Sequence, residues 1–370
     1  MISLALLAFV VSLVATLWVR RVFTRHAGAC AYADDAPQRF HLGDTPRMGG
    51  LGMLAGWALA LAALPLLQWA RMAGNIDSAR LNLAMWLLML LPAFAGGVVE
   101  DRTQRLPVRW RMLLTLTSGL LAWTLLGASV PQLGFDWIDL HWRARPWLGI
   151  ALAVLAVTGL PHAFNIIDGY NGLAGSVALV VCLALAHVAL QVGDRELAAM
   201  AIALAAATAG FMVWNYPRGL IFAGDAGAYL WGLLIAAISL QLVQRHPIVS
   251  PWFPMLLLIY PVWETLFSIY RKLARGVSPS VADALHFHQL IYRRIVRSVF
   301  HGDDVARRML MRNNRTSPYL WAFTMLSVVP AVLFWHTSWV LIACCVLFIA
   351  SYVGAYLAIV RFKVPGWLQH

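Results

Sequence analysis

Residues 2–19 hold no charged side chain, and ten further apolar runs follow, near residues 51–67, 82–99, 111–127, 147–163, 173–192, 197–214, 227–244, 252–269, 319–337 and 339–360. Each approaches the roughly 20 residues that an α-helix needs to cross the hydrocarbon of a bilayer. Inside hydrocarbon every backbone N–H and C=O must be satisfied by protein, which leaves helices or a closed barrel. A barrel would alternate apolar and polar residues along each strand, whereas these runs are apolar throughout. With 61% apolar and 12% charged residues, and a mean hydropathy of +0.72, the 370-residue chain has too little polar surface for a soluble domain. The fold class expected is all-α: one polytopic membrane domain spanning residues 1–370, with about eleven transmembrane helices.

Charge fixes an expected orientation. No basic residue precedes the first run, and Arg20, Arg21 and Arg25 follow it directly. That flank order places the N-terminus outside and argues against a cleaved signal peptide. Eleven crossings then put the C-terminus inside. With this topology 22 of the 28 Lys and Arg lie on inner segments, and only Arg71, Arg80, Arg143, Arg145, Arg195 and Arg245 lie on outer ones. The net charge of +12 therefore reads as cytoplasmic anchoring beside anionic lipid and excludes nucleic-acid binding as its explanation.

Cys182, Cys344 and Cys345 fall in spans and Cys30 in an inner loop, which supports neither a disulfide framework nor a metal cluster. Trp69, Trp110, Trp147, Trp214, Trp252 and Trp339 lie near span ends, as an interfacial aromatic belt requires. Outer residues 128–146 alternate loosely and are consistent with a small hairpin or an irregular loop. Pro254 and Pro261 interrupt the ninth run close to Glu264, so a break is expected there.

The chemistry gathers on the inner face. Three acidic stretches, Gly97 to Arg102, Asn165 to Gly172 and Phe222 to Gly227, are expected as loops at the ends of different spans. Each has an ordinary reading: Glu100-Asp101 as an ion-paired cap, Asp168 as part of a turn, Asp225 as the N-cap of the eighth span. Their conjunction on one face, each beside Gly residues that let backbone approach a ligand, favours a common site. Asp101, Asp168, Asp225 and Asn165 are the oxygen donors that Mg²⁺ accepts when it keeps waters and substrate phosphates in its shell. A long basic inner loop, 270–317, adds Arg271, Lys272, Arg275, Asp283, His286, His288, Arg293 and Arg294. Two histidines are too few for a zinc site, and with arginines they suit phosphate oxygens.

In order along almost the whole chain stand Asp44-Thr45-Pro46-Arg47-Met48-Gly49-Gly50, Glu100-Asp101, Asn165 to Gly175, Ile221 to Gly227, and His286-Phe287-His288. In these motifs the chain resembles the polyprenyl-phosphate N-acetylhexosamine-1-phosphate transferases. The resemblance implies transfer of a sugar-1-phosphate from a UDP-N-acetylhexosamine to undecaprenyl phosphate with release of UMP, starting a lipid-linked surface polysaccharide at the bacterial inner membrane. It implies Mg²⁺, replaceable by Mn²⁺, held by Asp225 and Asn165. Asp168 would be an essential acid, and Glu100-Asp101 would lie where the lipid phosphate attacks. Asn171 and Phe222 would contact the uracil, while Arg109 or Arg111, His286 and His288 would hold phosphates and Gly49 and Gly50 would lie in the substrate site. A homodimer is compatible with it. The chain departs from the family pattern at Glu100, Asn171, Gln289, Ala226 and Ala228. Competing classes are a transporter or flippase of lipid-linked sugars, and an inactive scaffold; neither would release UMP from a UDP-sugar.

Overall fold

The computed structural model of the chain describes residues 1–24, 45–64, 76–278, 285–296 and 304–361, with the side chains of 76–82 and 305–306 left aside. All regular structure among these residues is helical. Helices α1 (Ile2–Thr24), α2 (Gly49–Ala62), α3 (Ile76–Thr103), α4 (Val108–Leu126), α6 (Pro146–Ile167), α7 (Leu173–Gln191), α8 (Arg195–Asn215) and α9 (Gly224–Arg245) realise the first eight apolar runs. The ninth run divides into α10 (Trp252–Leu257) and α11 (Ile259–Ala274), which meet at Leu258 between the two prolines, as their missing N–H groups lead one to expect. A short α12 (Phe287–Ile291) runs into a π-turn, Tyr292–Val296, and α13 (Val305–Leu333) and α14 (Ser338–Val360) complete the set. Eight of these helices are long and apolar enough to cross a membrane, which makes this a multi-pass membrane protein.

Helix α9 is the axis of the molecule. Its spanning segment is 94% buried, and it packs against α2, α3, α6, α7 and α8. A helix that is apolar around its whole circumference has no solvent face to present and belongs in the middle of a bundle. Around it, association relies on close backbone approach, because lipid tails are as apolar as the side chains. The α1, α2 and α8 cluster shows this: a Cβ on Gly56 would meet Ser12 and the Ala8 carbonyl. Across the same seam the Ser12 hydroxyl donates to the Ala207 carbonyl at 2.6 Å and Trp57 Nε1 to the Met200 carbonyl at 3.3 Å. Trp110, Trp147 and Trp339 are exposed at helix ends, whereas Trp214 and Trp252 turn inward and donate to the carbonyls of Leu13 and Leu133.

Three expectations change. Residues 128–146 form no hairpin; they carry a helix, α5 (Asp136–Arg143). The Asp139 carboxylate takes the N–H groups of Leu133, Gly134 and Phe135, the amides that a partner strand would otherwise have paired. The acidic stretches are not loops either: Glu100 and Asp101 lie in the last turn of α3, Asp225 in the first turn of α9, and Asp168 at the C-cap of α6. Likewise residues 270–317 are largely helical where described, because the polar segment Arg307 to Ser317 continues without a break into the tenth apolar run as α13. Asp283 and Cys30 lie outside the described residues.

Candidate active site

The C-terminal ends of α3 and α6 meet the N-terminal ends of α4 and α9, and the contact is close enough to set the chemistry. Gly97 of α3 faces α9 so tightly that a Cβ would come within 2.6 Å of Ala226 Cα. Gly224 opens α9 at φ +74°, a conformation that L side chains rarely adopt, with its Cα against the Asp101 carboxylate. Asp101 Oδ1 accepts from the Asp225 N–H at 2.7 Å and Oδ2 from the Ala226 N–H at 2.9 Å. The expected N-cap of this helix was Asp225, whose side chain caps nothing; the capping carboxylate is Asp101, delivered by another span. A fully buried carboxylate is tolerable here because two orphan amides and the positive end of the helix dipole face it.

Freed from capping, the Asp225 carboxylate faces two guanidinium groups. Arg47 Nη2 lies 3.4 Å from Oδ1 and Arg111 Nη1 3.1 Å from Oδ2, while Tyr229 donates to Oδ2 at 3.3 Å. Arg47 Nε also lies 4.0 Å from Asp101. Glu100 stands 3.8 Å from Arg111, its other oxygen accepting the Leu106 N–H at 2.8 Å. Of the two arginines expected here, Arg111 reaches the carboxylates; Arg109 is exposed and makes no ion pair among the described residues. Gly49 and Gly50 donate their N–H groups to the carbonyls of Phe222 and Ala223 at 2.9 and 3.1 Å, tying the start of α2 to the turn before α9. The structure thus places them as backbone ties behind Phe222, which itself lines the cavity.

That cavity, of about 160 Å³, is lined by Arg47, Asn165, Asp168, Asn171, Phe222 and His286, among others. Neither the Asn165 amide nor the Asp168 carboxylate has a side-chain hydrogen bond among the described residues, although most polar groups so enclosed are paired. Burial pushes the Asp168 carboxyl up to about 7; Arg47 pulls against that and Asp225 adds to it. Two uncommitted hard oxygen groups, an amide and a carboxylate, beside the second carboxylate of Asp225 fit a divalent cation that keeps water and phosphate ligands. No group of three or more His, Cys, Asp or Glu among the described residues is placed to hold a metal ion.

The opposite wall comes from a region that sequence reading treated only as basic loop. Asn171 is gripped by α13: its N–H donates to Asn313 Oδ1 at 2.8 Å, its Nδ2 to Asn314 Oδ1 at 3.0 Å, and its carbonyl accepts from Ser317 at 2.6 Å. The next residue, Gly172, receives Trp321 Nε1 at its carbonyl and gives its N–H to Asn215 Oδ1. Asn171 lines the cavity, and its Oδ1 is buried without a donor. Asn215, Asn313, Asn314 and Ser317 were absent from the expected site. The signal available was the polar run Arg312 to Ser317 set directly before an apolar span.

His286 and His288 enter from α12 with their rings parallel at 5.4 Å. His288 lies over the Asp168-Gly169 turn, where a Cβ on Gly169 would come within 3.1 Å of its Nε2. Asn165, Asp168, Asn171, Phe222, His286 and His288 therefore share one cavity, with the Asp225, Asp101, Arg111 and Glu100 cluster beside it.

Residues 83–243, which carry three of the acidic motifs and the central helix, match the family model described as glycosyl transferase family 4. The chain is 30% identical over 317 residues to the decaprenyl-phosphate N-acetylglucosaminephosphotransferase of Mycolicibacterium smegmatis, covering 76% of this chain and 73% of that one. It is 28% identical over 287 residues to the probable undecaprenyl-phosphate N-acetylglucosaminyl 1-phosphate transferase of Bacillus subtilis, covering 76% and 75%. It is 28% identical over 259 residues to the undecaprenyl-phosphate alpha-N-acetylglucosaminyl 1-phosphate transferase of Yersinia pestis, covering 68% and 67%. With its acidic helix ends converging on one cavity and relatives of this kind along most of its length, the chain belongs to glycosyl transferase family 4.

Proposed function

We propose that the protein transfers N-acetylhexosamine-1-phosphate from a UDP-N-acetylhexosamine to undecaprenyl phosphate at the inner face of the bacterial cytoplasmic membrane. UMP leaves, and the lipid-linked product starts a surface polysaccharide. The observation that carries this reading is the pairing, in one cavity, of uncommitted Asn165 and Asp168 oxygens with Arg47 and the two histidines. Such a cavity can hold a cation and a diphosphate together. The names of the relatives, which act on undecaprenyl or decaprenyl phosphate and N-acetylglucosamine phosphate, support the same substrates.

In this reading an oxygen of the lipid phosphate attacks the donor phosphorus that bears the sugar. The new phosphoanhydride forms as the bond to the UMP oxygen breaks, so a strong base is not required. Catalysis is then positioning plus charge neutralisation. Asn165, Asp168 and Asp225 would hold Mg²⁺, which would offset the diphosphate charge and polarise its oxygens. Arg47 and Arg111, now shared with Asp225, would turn toward phosphate oxygens as the substrates arrive. Asp101 keeps the first turn of α9 in place, aiming its positive end at the site. Asn171 and Phe222, which line the cavity, would contact the uracil. Glu100 stands next to Arg111, where the acceptor phosphate would be received.

The test is UMP release by the detergent-solubilised protein given Mg²⁺, undecaprenyl phosphate and a panel of UDP-N-acetylhexosamines. Release that needs all three components, with one sugar preferred, supports the reading. A folded protein that releases no UMP from any of them removes it.

A further inference from the structure

Glu264 is a carboxylate inside an apolar run, and none of the roles above uses it. It is wholly buried, and three groups gather on its oxygens: the Phe287 N–H donates to Oε1 at 3.2 Å and the Tyr352 hydroxyl to Oε2 at 2.7 Å, while His286 Nδ1 lies 3.0 Å from Oε1. It thereby joins α11, α12 and α14 at one point. Holding a carboxylate at this depth is costly, and packed apolar residues would join the helices at least as well. What apolar packing could not do is choose which nitrogen of an imidazole carries the proton. A carboxylate accepting from Nδ1 commits that proton and leaves Nε2 as the atom available to the cavity that His286 lines. The parallel ring of His288, 5.4 Å away at an interplanar angle of 3°, inherits the orientation and lies against the Asp168-Gly169 turn.

We propose that Glu264 is a positioning residue for the transfer reaction: it fixes the tautomer and ring plane of His286, and through the stacked ring the plane of His288, so that Nε2 of His286 meets the donor diphosphate. This rests on the transferase function proposed for the same cavity. The route runs from Tyr352 through Glu264 and His286 to the ring of His288, which lies beside the turn that carries Asp168.

The experiment is a double-mutant cycle on the full-length protein in detergent, comparing wild type, Glu264→Gln, His286→Ala and the double variant, with ¹⁵N-histidine spectra of wild type and Glu264→Gln. Glu264→Gln keeps size and loses the charge. It is expected to lower kcat about 10- to 100-fold, the range seen when an outer partner of a functional histidine is removed. KM for the lipid phosphate should stay constant. In the His286→Ala background the same change should cost less than about twofold, since the group it orients is gone. If the losses multiply instead, Glu264 acts elsewhere and the proposal fails. Should Glu264→Gln not fold, Tyr352→Phe takes its place in the cycle, with an expected loss of about threefold to tenfold, again erased by His286→Ala. The spectra separate this proposal from the reading beneath it. If the wild-type protein releases no UMP, the transferase reading falls. The ring-nitrogen signals then decide the contact by itself: loss of the Nδ1-protonated His286 signature in Glu264→Gln upholds control of the His286 tautomer by Glu264, and an unchanged signature overturns the proposal.

Discussion

The Asp101 carboxylate holds the backbone N–H of Asp225 at 2.7 Å, although the two residues are 124 positions apart. With Ala226 at 2.9 Å on its second oxygen, it is a helix cap supplied by another span, and it releases Asp225 to face Arg47 and Arg111. Asp101→Asn leaves one oxygen and puts an NH₂ against an amide N–H. The cap loses at least one charge-assisted hydrogen bond, worth about 1.5–3 kcal/mol. The expected outcome is a lower unfolding temperature in detergent together with a turnover reduced about 100-fold or more. Thermal melts and UMP release on the same preparation check both.

Asp225→Asn is expected to behave differently. Its cap is intact, because Asp101 supplies it, so the melt should shift little while turnover falls about 1,000-fold through loss of the charge that organises Arg47, Arg111 and the cation. A variant with near-normal turnover would remove Asp225 from the chemistry.

Asn171 lines the cavity and is braced there by Asn313, Asn314 and Ser317. Asn171→Ala should therefore raise KM for the UDP-sugar about 10- to 100-fold, with kcat less affected, since contact with the nucleobase is made equally in ground and transition states. Asn314→Ala should give a smaller rise of the same kind. Steady-state kinetics with the donor varied at saturating lipid phosphate separates the two parameters.

The pH response of Asp168 follows from its enclosure. Its folded-state carboxyl lies near 7, above the ordinary value of 3.8, so folding favours the protonated form. The stability it contributes is present below about 4 and is lost as pH rises through about 7. Asp168→Asn should thus melt higher than wild type at pH 8 without added cation, and about the same at pH 4. A cation binding the carboxylate reverses the sign, so Mg²⁺ should stabilise wild type more than Asp168→Asn at pH 8. Paired melts with Mg²⁺ or a chelator measure it.

Far from the cavity, Asp194 caps α8 by accepting the Leu197 N–H at 2.9 Å, with His246 and Arg245 on its other oxygen. Burial would raise its carboxyl, but these partners outweigh burial and hold it below the usual range. Its contribution is therefore present above about 3.8 and lost as pH falls through the lower folded value. Asp194→Ala should cost about 1 kcal/mol at pH 7 and leave turnover unchanged. Denaturation curves at pH 7 and pH 3 test the window.

The apolar runs made the helices legible, because a long uncharged segment in hydrocarbon has few ways to satisfy its backbone. The break between Pro254 and Pro261 was legible for the same local reason. What the sequence hid depends on contacts across it. Nothing near Asp225 announces that Asp101 will take its capping role, since the two meet only when Gly97 lets α3 approach α9. The Asn313 to Ser317 brace was equally hidden, because its polar residues read as a basic loop until α13 carries them back to Asn171. Glu264 was visible as an anomaly in the ninth run, but its partner His286 lies 22 residues on, beyond the basic segment.

The most direct test follows the phosphorus. UDP-N-acetylglucosamine labelled with ³²P at the sugar-bearing phosphate is incubated with purified protein, undecaprenyl phosphate and Mg²⁺, and the organic phase is counted. Wild-type protein is expected to carry label into the lipid fraction with one UMP released per label, and Asp168→Asn to carry almost none. Label that stays in the aqueous phase for every UDP-N-acetylhexosamine tried, with the protein folded, or an Asp168→Asn variant as active as wild type, would contradict a transferase site built around Asp168.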